Sequence, residues 1–252
     1  MLAVLQFYQG YISPIVRFCI PTFAMVALWI GFWRAGWSGK ARMTGLIVTG
    51  VFLAWYTVTE QLARSGFYNA HWDVMRPLCW AIAAAWLLPL MRSKSVGLAL
   101  DAIPTWWLII LQVYRAAGGF VWLATWSLGR LPAGFALPTG IGDSLVGIVA
   151  VIAALYASSG ARRGRIVGIA WNVYGIFDFA LGFVLASFIP YNIAYPGVMI
   201  PAFLAPMSLD VHGLSLRQLV RALKRENAAN RSPGVSATPT SQPRRAAHYR
   251  PL

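Results

Sequence analysis

The sequence has 252 residues, of which 58% are hydrophobic and only 11% charged, and its mean hydropathy is +0.61. Soluble domains carry about a quarter charged residues and at most about half apolar ones, so this composition excludes an ordinary water-soluble fold. The formal net charge of +14 comes from basic residues in short clusters between apolar runs. That distribution is typical of membrane topology rather than of a nucleic-acid-binding face. The composition therefore predicts an integral membrane protein whose surroundings are the lipid bilayer, with no nucleic-acid partner.

Seven apolar segments reach or approach the length of about 20 residues that a helix needs to cross a bilayer. We expect residues 1–13 to extend the first segment or to lie along the interface. In chain order the segments are Ile15–Trp33, Gly45–Arg64, Val74–Met91, Ile103–Thr125, Leu131–Tyr156, Ile166–Phe188 and Ala194–His212. The third is short and the seventh contains three prolines, which spans tolerate when neighbouring helices satisfy the freed carbonyls. The sequence thus predicts an all-α, polytopic transmembrane bundle of about seven spans.

Basic residues near the segment ends indicate the orientation. With the C-terminus in the cytoplasm, twelve of them lie at inner ends and four at outer ends, with the correct alternation at every loop. The inner set is Arg34, Lys40, Arg42, Arg92, Lys94, Arg162, Arg163, Arg165, Arg217, Arg221, Lys224 and Arg225, and the outer set is Arg17, Arg64, Arg76 and Arg130. We therefore expect the N-terminus outside and the C-terminus in the cytoplasm.

The chain after the last segment has a different pattern. Leu214–Arg225 places aliphatic residues on one helical face and arginines on the other, as in helices that lie on an anionic cytoplasmic leaflet. A continuation of the seventh span fits the same pattern. Residues 226–252 are rich in Ser, Pro, Ala and Arg, which predicts a disordered basic cytoplasmic tail. The expected division is a transmembrane helical domain over residues 1–225, ending in the basic amphipathic helix, and a tail over 226–252.

A few ionisable residues fall inside the predicted spans. Each costs roughly 2.5–3.5 kcal/mol on insertion scales, so such groups usually face partners or water. Arg115, Asp143 and Asp178 lie near the middle of three consecutive spans, and Glu60 lies in the outer half of the second. An arginine between two aspartates would offset much of the burial cost through charge-assisted hydrogen bonds. The candidate binding or coupling cluster is Arg115, Asp143, Asp178, Gln112, Glu60 and Asn172.

A short repeat surrounds the two aspartates. The pattern G-I-x-D-x-x-x-G runs from Gly140 to Gly147 and again from Gly175 to Gly182. Glycines seven residues apart share a helical face, and small residues allow close helix packing in membranes. We expect these four glycines to be helix-packing positions. An inverted repeat around a midplane transport site would produce the same pattern.

Three functions fit the cluster. The first is proton- or cation-coupled transport of a small solute, which would favour a homo-oligomer because seven spans are few for a secondary transporter. The second is a structural or accessory membrane subunit in which Arg115 only locks helices together. The third is an intramembrane aspartyl enzyme, because Gly140-Ile141-Gly142-Asp143 resembles the GxGD signature of intramembrane aspartyl proteases.

The protease resemblance is incomplete. In that family the second aspartate precedes the GxGD span and directly follows a tyrosine. Here Asp178 comes after that span, and three residues separate it from Tyr174. An enzyme is therefore the least favoured of the three functions, and we assign no catalytic residue.

The lysines and histidines provide no evident cofactor site. All three lysines lie outside the predicted spans, which removes a Schiff-base lysine for retinal. Haem or a metal would need histidines inside the bundle, but we expect His71 in an outer loop and His212 at the inner end of the last span. We therefore expect neither a cofactor nor a metal.

Several motifs mark the second half of the chain. They are Gln112-Val113-Tyr114-Arg115, Leu131-Pro132, Gly140-Ile141-Gly142-Asp143 and a proline-rich last span that ends in His212. Together they resemble a group of uncharacterised bacterial inner-membrane proteins over roughly residues 100–220. The resemblance implies a multi-pass protein of a bacterial inner membrane and brings no known activity with it.

Overall fold

The computed structural model describes residues 6, 10, 13–36, 38–189, 193 and 195–231, and throughout them the regular structure is helical. This confirms the predicted all-α class. The helices are α1 Ser13–Arg34, α2 Gly39–Arg64, α3 Phe67–Ala70, α4 Trp72–Arg92, α5 Lys94–Ala102, α6 Thr105–Ile110, α7 Tyr114–Ser127, α8 Ala133–Ser158, α9 Arg162–Phe188 and α10 Ala205–Arg231. A 3-10 turn, Leu111–Val113, joins α6 to α7, and a π-helical turn, Ile200–Leu204, leads into α10.

Local sequence signals explain several helix ends. Ser38 and Ser93 cap α2 and α5, and each hydroxyl accepts a hydrogen bond from the backbone amide three residues later. The turns after α7 and α8 contain Gly129 and Gly160, with φ of 68° and 66°. Residues with a side chain rarely adopt this left-handed conformation, so a glycine follows each of these helices.

Five helical stretches are long and apolar enough to cross a membrane within the described part of the chain. They are Val16–Arg34, Gly39–Arg64, Thr105–Ser127, Ala133–Ser158 and Arg162–Phe188. The third predicted span falls in α4, whose apolar part, Trp80–Arg92, is shorter. The seventh falls on residues 195–204 and the first part of α10, which do not meet the same criterion. Length and composition thus support five of the seven predicted crossings.

The outer face of α8 is apolar. Ile141, Leu145, Ile148, Ile152 and Leu155 recur at helical spacing and are all exposed, Leu155 by 68%. The opposite face of α8 packs against α7 and α9. Soluble proteins rarely leave a continuous apolar stripe of this kind uncovered, whereas lipid-facing helices require one.

The last helix differs from the expectation for the C-terminal region. Residues 205–231 form one helix, α10, so the predicted boundary at residue 225 falls inside it and residues 226–231 are helical rather than disordered. Leu219 is buried against Gly168 of α9, and Glu226 pairs with Arg165 near the start of α9. This part of α10 packs antiparallel to α9, so Leu214–Arg225 continues the helix that begins at Ala205, which fits the alternative of a continuation rather than that of a separate surface helix. The rest of the predicted tail, residues 232–252, and most of residues 1–12 lie outside the described residues.

Candidate functional site

Arg115 is the centre of a buried polar cluster. It lies at the start of α7, directly after the 3-10 turn, and is 2% exposed. Its Nε donates to Oδ1 of Asp143 at 2.8 Å, and its Nη2 lies 2.7 Å from the same oxygen. Nη2 also donates to Oδ2 of Asp178. The structure therefore brings together the three charged residues that the sequence places on three consecutive spans.

The third nitrogen of the guanidinium, Nη1, contacts a histidine. Nη1 of Arg115 lies 3.2 Å from Nε2 of His212, whose Nδ1 lies 3.0 Å from Oδ1 of Asn172. Because arginine has no acceptor, Nε2 of His212 must accept and Nδ1 must carry the proton. Asn172 in turn donates to the carbonyl of Gly168 at 2.7 Å and to the hydroxyl of Ser215 at 3.1 Å. This hydrogen-bond chain requires a neutral His212.

The charges of the cluster do not cancel. One guanidinium faces two carboxylates and a neutral imidazole, so the Arg115 cluster (Arg115, Asp143, Asp178 and His212) has a net charge of −1 when both carboxyls are ionised. An uncompensated charge with little access to water is costly, so a proton or a bound cation would stabilise the cluster when both carboxyls are ionised. An aspartyl dyad needs two carboxyls that share one proton, whereas here both accept from the guanidinium.

Aromatic side chains complete the surroundings of the charges. Nε1 of Trp122 donates to Oδ2 of Asp143 at 2.9 Å. The ring of Phe179 covers the guanidinium of Arg115, with 3.8 Å between its centroid and Cζ. These contacts combine a cation–π interaction with a hydrogen bond that orients the carboxylate.

Two glycines leave room for the polar side chains. A Cβ on Gly142 would overlap the carboxylate of Asp178, and a Cβ on Gly175 would overlap the imidazole of His212. Gly142, inside the GxGD pattern, thus admits a side chain from the neighbouring helix. The pattern therefore has a packing reason that is independent of protease chemistry.

The four predicted packing glycines differ in how closely they are approached. Gly147 lies against the backbone of Ala116, and a Cβ on Gly140 would come within 2.8 Å of Leu123. Gly175 faces His212, as described above. Gly182 has more space, since its nearest neighbour would be a methyl group at 3.3 Å. The two copies of the repeat thus make different contacts.

Gln112 contributes to the site indirectly. It is 1% exposed, and its Nε2 donates to the carbonyl of Ser208 in α10 at 3.2 Å. The hydroxyl of Tyr114 donates to the carbonyl of Leu204 at 3.0 Å and also contacts the Ser208 hydroxyl. The 3-10 turn before Arg115 is thereby tied to α10 rather than to the charged cluster.

Glu60 does not belong to the Arg115 cluster. Its Oε1 accepts from Nη1 of Arg17 at 2.7 Å, from Nη2 of Arg64 at 2.8 Å and from the hydroxyl of Tyr195 at 2.6 Å. These four residues form a second group, the Glu60 cluster, between α1, α2 and the segment before α10. Residue counting places Glu60 in the outer half of its span. At that depth it pairs with Arg17 and Arg64 and not with the predicted partner, Arg115.

A family model described as a domain of unknown function, DUF8737, matches residues 68–220, more than half of the chain. The chain belongs to this family. No curated protein and no solved structure matches it. The resemblance to an uncharacterised family is confirmed. The whole Arg115 cluster lies inside the matched residues of DUF8737, whereas Arg17, Glu60 and Arg64 lie outside them.

A cleft opens beside the Arg115 cluster. Its cavity volume is about 70 Å³, which is room for several water molecules. Arg115, Asp143 and Asp178 are the charged residues that line it. Its other walls include six aromatic residues, Trp80, Tyr114, Trp122, Phe135, Phe179 and Phe183. We call this space the aromatic cleft.

His212 is the main site residue that sequence reasoning missed. The sequence predicts it at the inner end of a span, but α10 continues to Arg231, and His212 is fully buried beside Arg115. A signal was present, because Ser208, His212 and Ser215 are spaced four and three residues apart and so share one helical face. A polar stripe on an otherwise apolar helix marks contact with a polar interior.

Asp210 lies elsewhere on α10. It is 6% exposed and lines a second, apolar cavity of about 70 Å³ between α10 and helices α1, α2 and α4–α6. Its Oδ1 has no hydrogen-bond partner among the described residues. Within the residues that the structure describes, no group of three or more His, Cys, Asp or Glu could hold a metal ion.

Proposed function

We propose that the protein is a multi-pass protein of a bacterial inner membrane with seven crossings, an outer N-terminus and a cytoplasmic C-terminus. Five apolar helices and the exposed apolar stripe of α8 support a membrane location. The other two crossings would be α4 and the residues from 195 into α10. The antiparallel packing of α9 and α10 supports the last crossing, and the basic residues support the orientation.

We propose that the Arg115 cluster binds a proton or a cation and couples it to transport of a small solute. The observation that carries the proposal is a buried cluster of one guanidinium and two carboxyls beside a cleft, which has a net charge of −1 when both carboxyls are ionised. A site with this charge is stabilised when a proton or cation neutralises it. A carrier needs its loaded and empty sites to differ in charge. A neutralised site can move from one side of the membrane to the other at a lower free-energy cost than a charged site. Because seven crossings are few for a secondary transporter, the proposal includes a homo-oligomer.

A structural role is the second candidate. All three nitrogens of the Arg115 guanidinium have partners, and these partners connect α7 to α8, α9 and α10. Such a network would hold four helices in one arrangement without any ligand. An accessory subunit would need no more than this.

Proton movement in proteoliposomes separates the two candidates. Purified protein is reconstituted with a pH-sensitive dye inside, and proton movement is recorded after addition of sodium, potassium, small amines or amino acids. The transport proposal predicts a response for the unchanged protein and its loss in Asp143→Asn and Asp178→Asn. Asp101→Asn is the matched control, because Asp101 lies at an exposed position and its side chain pairs with Arg225 outside the cleft.

Folding is checked for each variant by size-exclusion chromatography and circular dichroism. If no solute drives proton movement in the unchanged protein, proton-coupled transport is wrong. Loss of folding in both cleft variants, together with absent transport, would favour the structural role.

A further inference from the structure

The charge that is open to the aromatic cleft is negative. The Asp143 side chain is 14% exposed, against 7% for Asp178 and 2% for Arg115. The guanidinium is also covered on one side by the ring of Phe179. An anion could therefore reach Arg115 only by displacing Phe179 or a carboxylate, whereas a cation meets Asp143 directly.

The walls of the cleft favour an organic cation over a metal ion. Trp122 and Phe135 form one edge-to-face pair and Trp80 and Phe183 another, each with 5.5 Å between ring centroids. Aromatic faces attract alkylammonium groups through their quadrupoles and also bury apolar surface. Hard metal cations instead require several oxygen ligands in place of their water, and two carboxylates already bound to an arginine do not provide them.

We infer that the aromatic cleft binds a hydrophobic organic cation, with its charged head at Asp143 and its apolar part along the aromatic walls. This inference rests on the proposed function, because it names the solute class of the same site. A cavity of about 70 Å³ accommodates a small head group, and the open side of the cleft leaves room for the remainder of the molecule.

The cation and a proton neutralise the same charge. The cluster has a net charge of −1 with both carboxyls ionised, so it gains one positive charge from either. Binding of one cation to the protonated cluster therefore releases one proton. Once the cluster is largely protonated, the apparent Kd rises about tenfold for each further unit that the pH falls.

The binding test uses benzyltrimethylammonium, whose charge does not depend on pH, and the full-length protein in detergent. Isothermal titration calorimetry in two buffers of different ionisation enthalpy measures the affinity and the number of protons released. We expect binding that weakens as the pH falls, and no binding of benzenesulfonate, an aromatic anion of comparable size. Equal binding of the anion, or cation binding that does not depend on pH, overturns the inference.

Two variants locate the site. Asp143→Asn is expected to weaken benzyltrimethylammonium binding by about tenfold or more, whereas Asp101→Asn leaves it unchanged. Trp80→Leu removes one aromatic wall without touching the charged cluster, so it remains informative if Asp143→Asn does not fold. We expect it to weaken binding by about fivefold. Unchanged affinity in a folded Asp143→Asn or Trp80→Leu variant contradicts the assignment.

The outcomes separate this inference from the proposed function. If proton movement occurs with other solutes but benzyltrimethylammonium does not bind at millimolar concentration, the solute class is wrong and the transport proposal stands. If the cation binds with proton release but neither it nor any other solute tested is transported, the binding site stands and the transport proposal fails.

Discussion

Replacing Gly142 with alanine is expected to break the ion pair between Asp178 and Arg115. An ideal Cβ on Gly142 would overlap Oδ1 of Asp178 and lie 2.7 Å from its Cγ. The backbone of α8 has little freedom to retreat, because Gly147 lies against the backbone of Ala116 one turn further along. The carboxylate of Asp178 must therefore move away from the guanidinium.

The size of the effect follows from the burial of the pair. Removing one partner of a buried ion pair costs about 3–5 kcal/mol, whereas alanine gains about 1 kcal/mol over glycine in a helix. The expected net loss in free energy of unfolding is about 2–4 kcal/mol. Reversible unfolding in mixed micelles, followed by circular dichroism as the fraction of denaturing detergent rises, measures this value.

A double-mutant cycle attributes the loss to the contact. Asp178→Ala removes the carboxylate and leaves Arg115 paired with Asp143, so Gly142→Ala should cost little in that background. Gly50→Ala serves as the control for helix propensity, because an added Cβ there meets no atom within 4 Å. An equal loss in both backgrounds would show that Gly142 matters for another reason and would refute the steric argument.

Three further predictions use the same unfolding assay. His212→Phe removes the acceptor of Arg115 Nη1 and should cost about 1–3 kcal/mol, and a loss near zero would contradict a stabilising hydrogen bond between the two side chains. Glu60→Gln leaves the buried guanidinium of Arg17 without its counter-charge and should cost about 3 kcal/mol, so an unchanged stability would contradict the Glu60 cluster. Glu226→Gln breaks a partly exposed ion pair with α9 and should change stability by less than about 1 kcal/mol, a value that a buried interaction would exceed.

The sequence predicts some parts of the site well because depth along a helix can be counted. Arg115, Asp143 and Asp178 meet in the structure as the midpoints of their predicted spans indicate. Each residue rises about 1.5 Å along a helix, so residues at similar counts from a span end lie at similar depth. The same counting places Glu60 in the outer half of its span, yet the sequence prediction includes it in the cluster, and the structure pairs it with Arg17 instead.

Other parts of the site depend on where helices end. The sequence predicts His212 at the end of a span, because a proline-rich segment precedes it and basic residues follow it, a pattern typical of the end of a membrane-spanning helix. In the structure α10 continues through that boundary, and its polar stripe packs against α9. Helix ends are poorly marked in sequence when tertiary contacts compensate for a weak local pattern.

The amino-acid sequence by itself determines that this chain is helical and apolar and that few charged residues lie within its apolar segments. Hydropathy and helical periodicity depend only on residues that are close together in the sequence. It also assigns a depth to each charge. Only the tertiary structure decides which helices are neighbours and how each is rotated about its axis. That rotation turns Asp143 towards Arg115, brings His212 from α10 to the same guanidinium and leaves the Asp143 carboxyl at an aromatic cleft. Packing sets the rotation, since the glycines permit close approach at some faces and not at others.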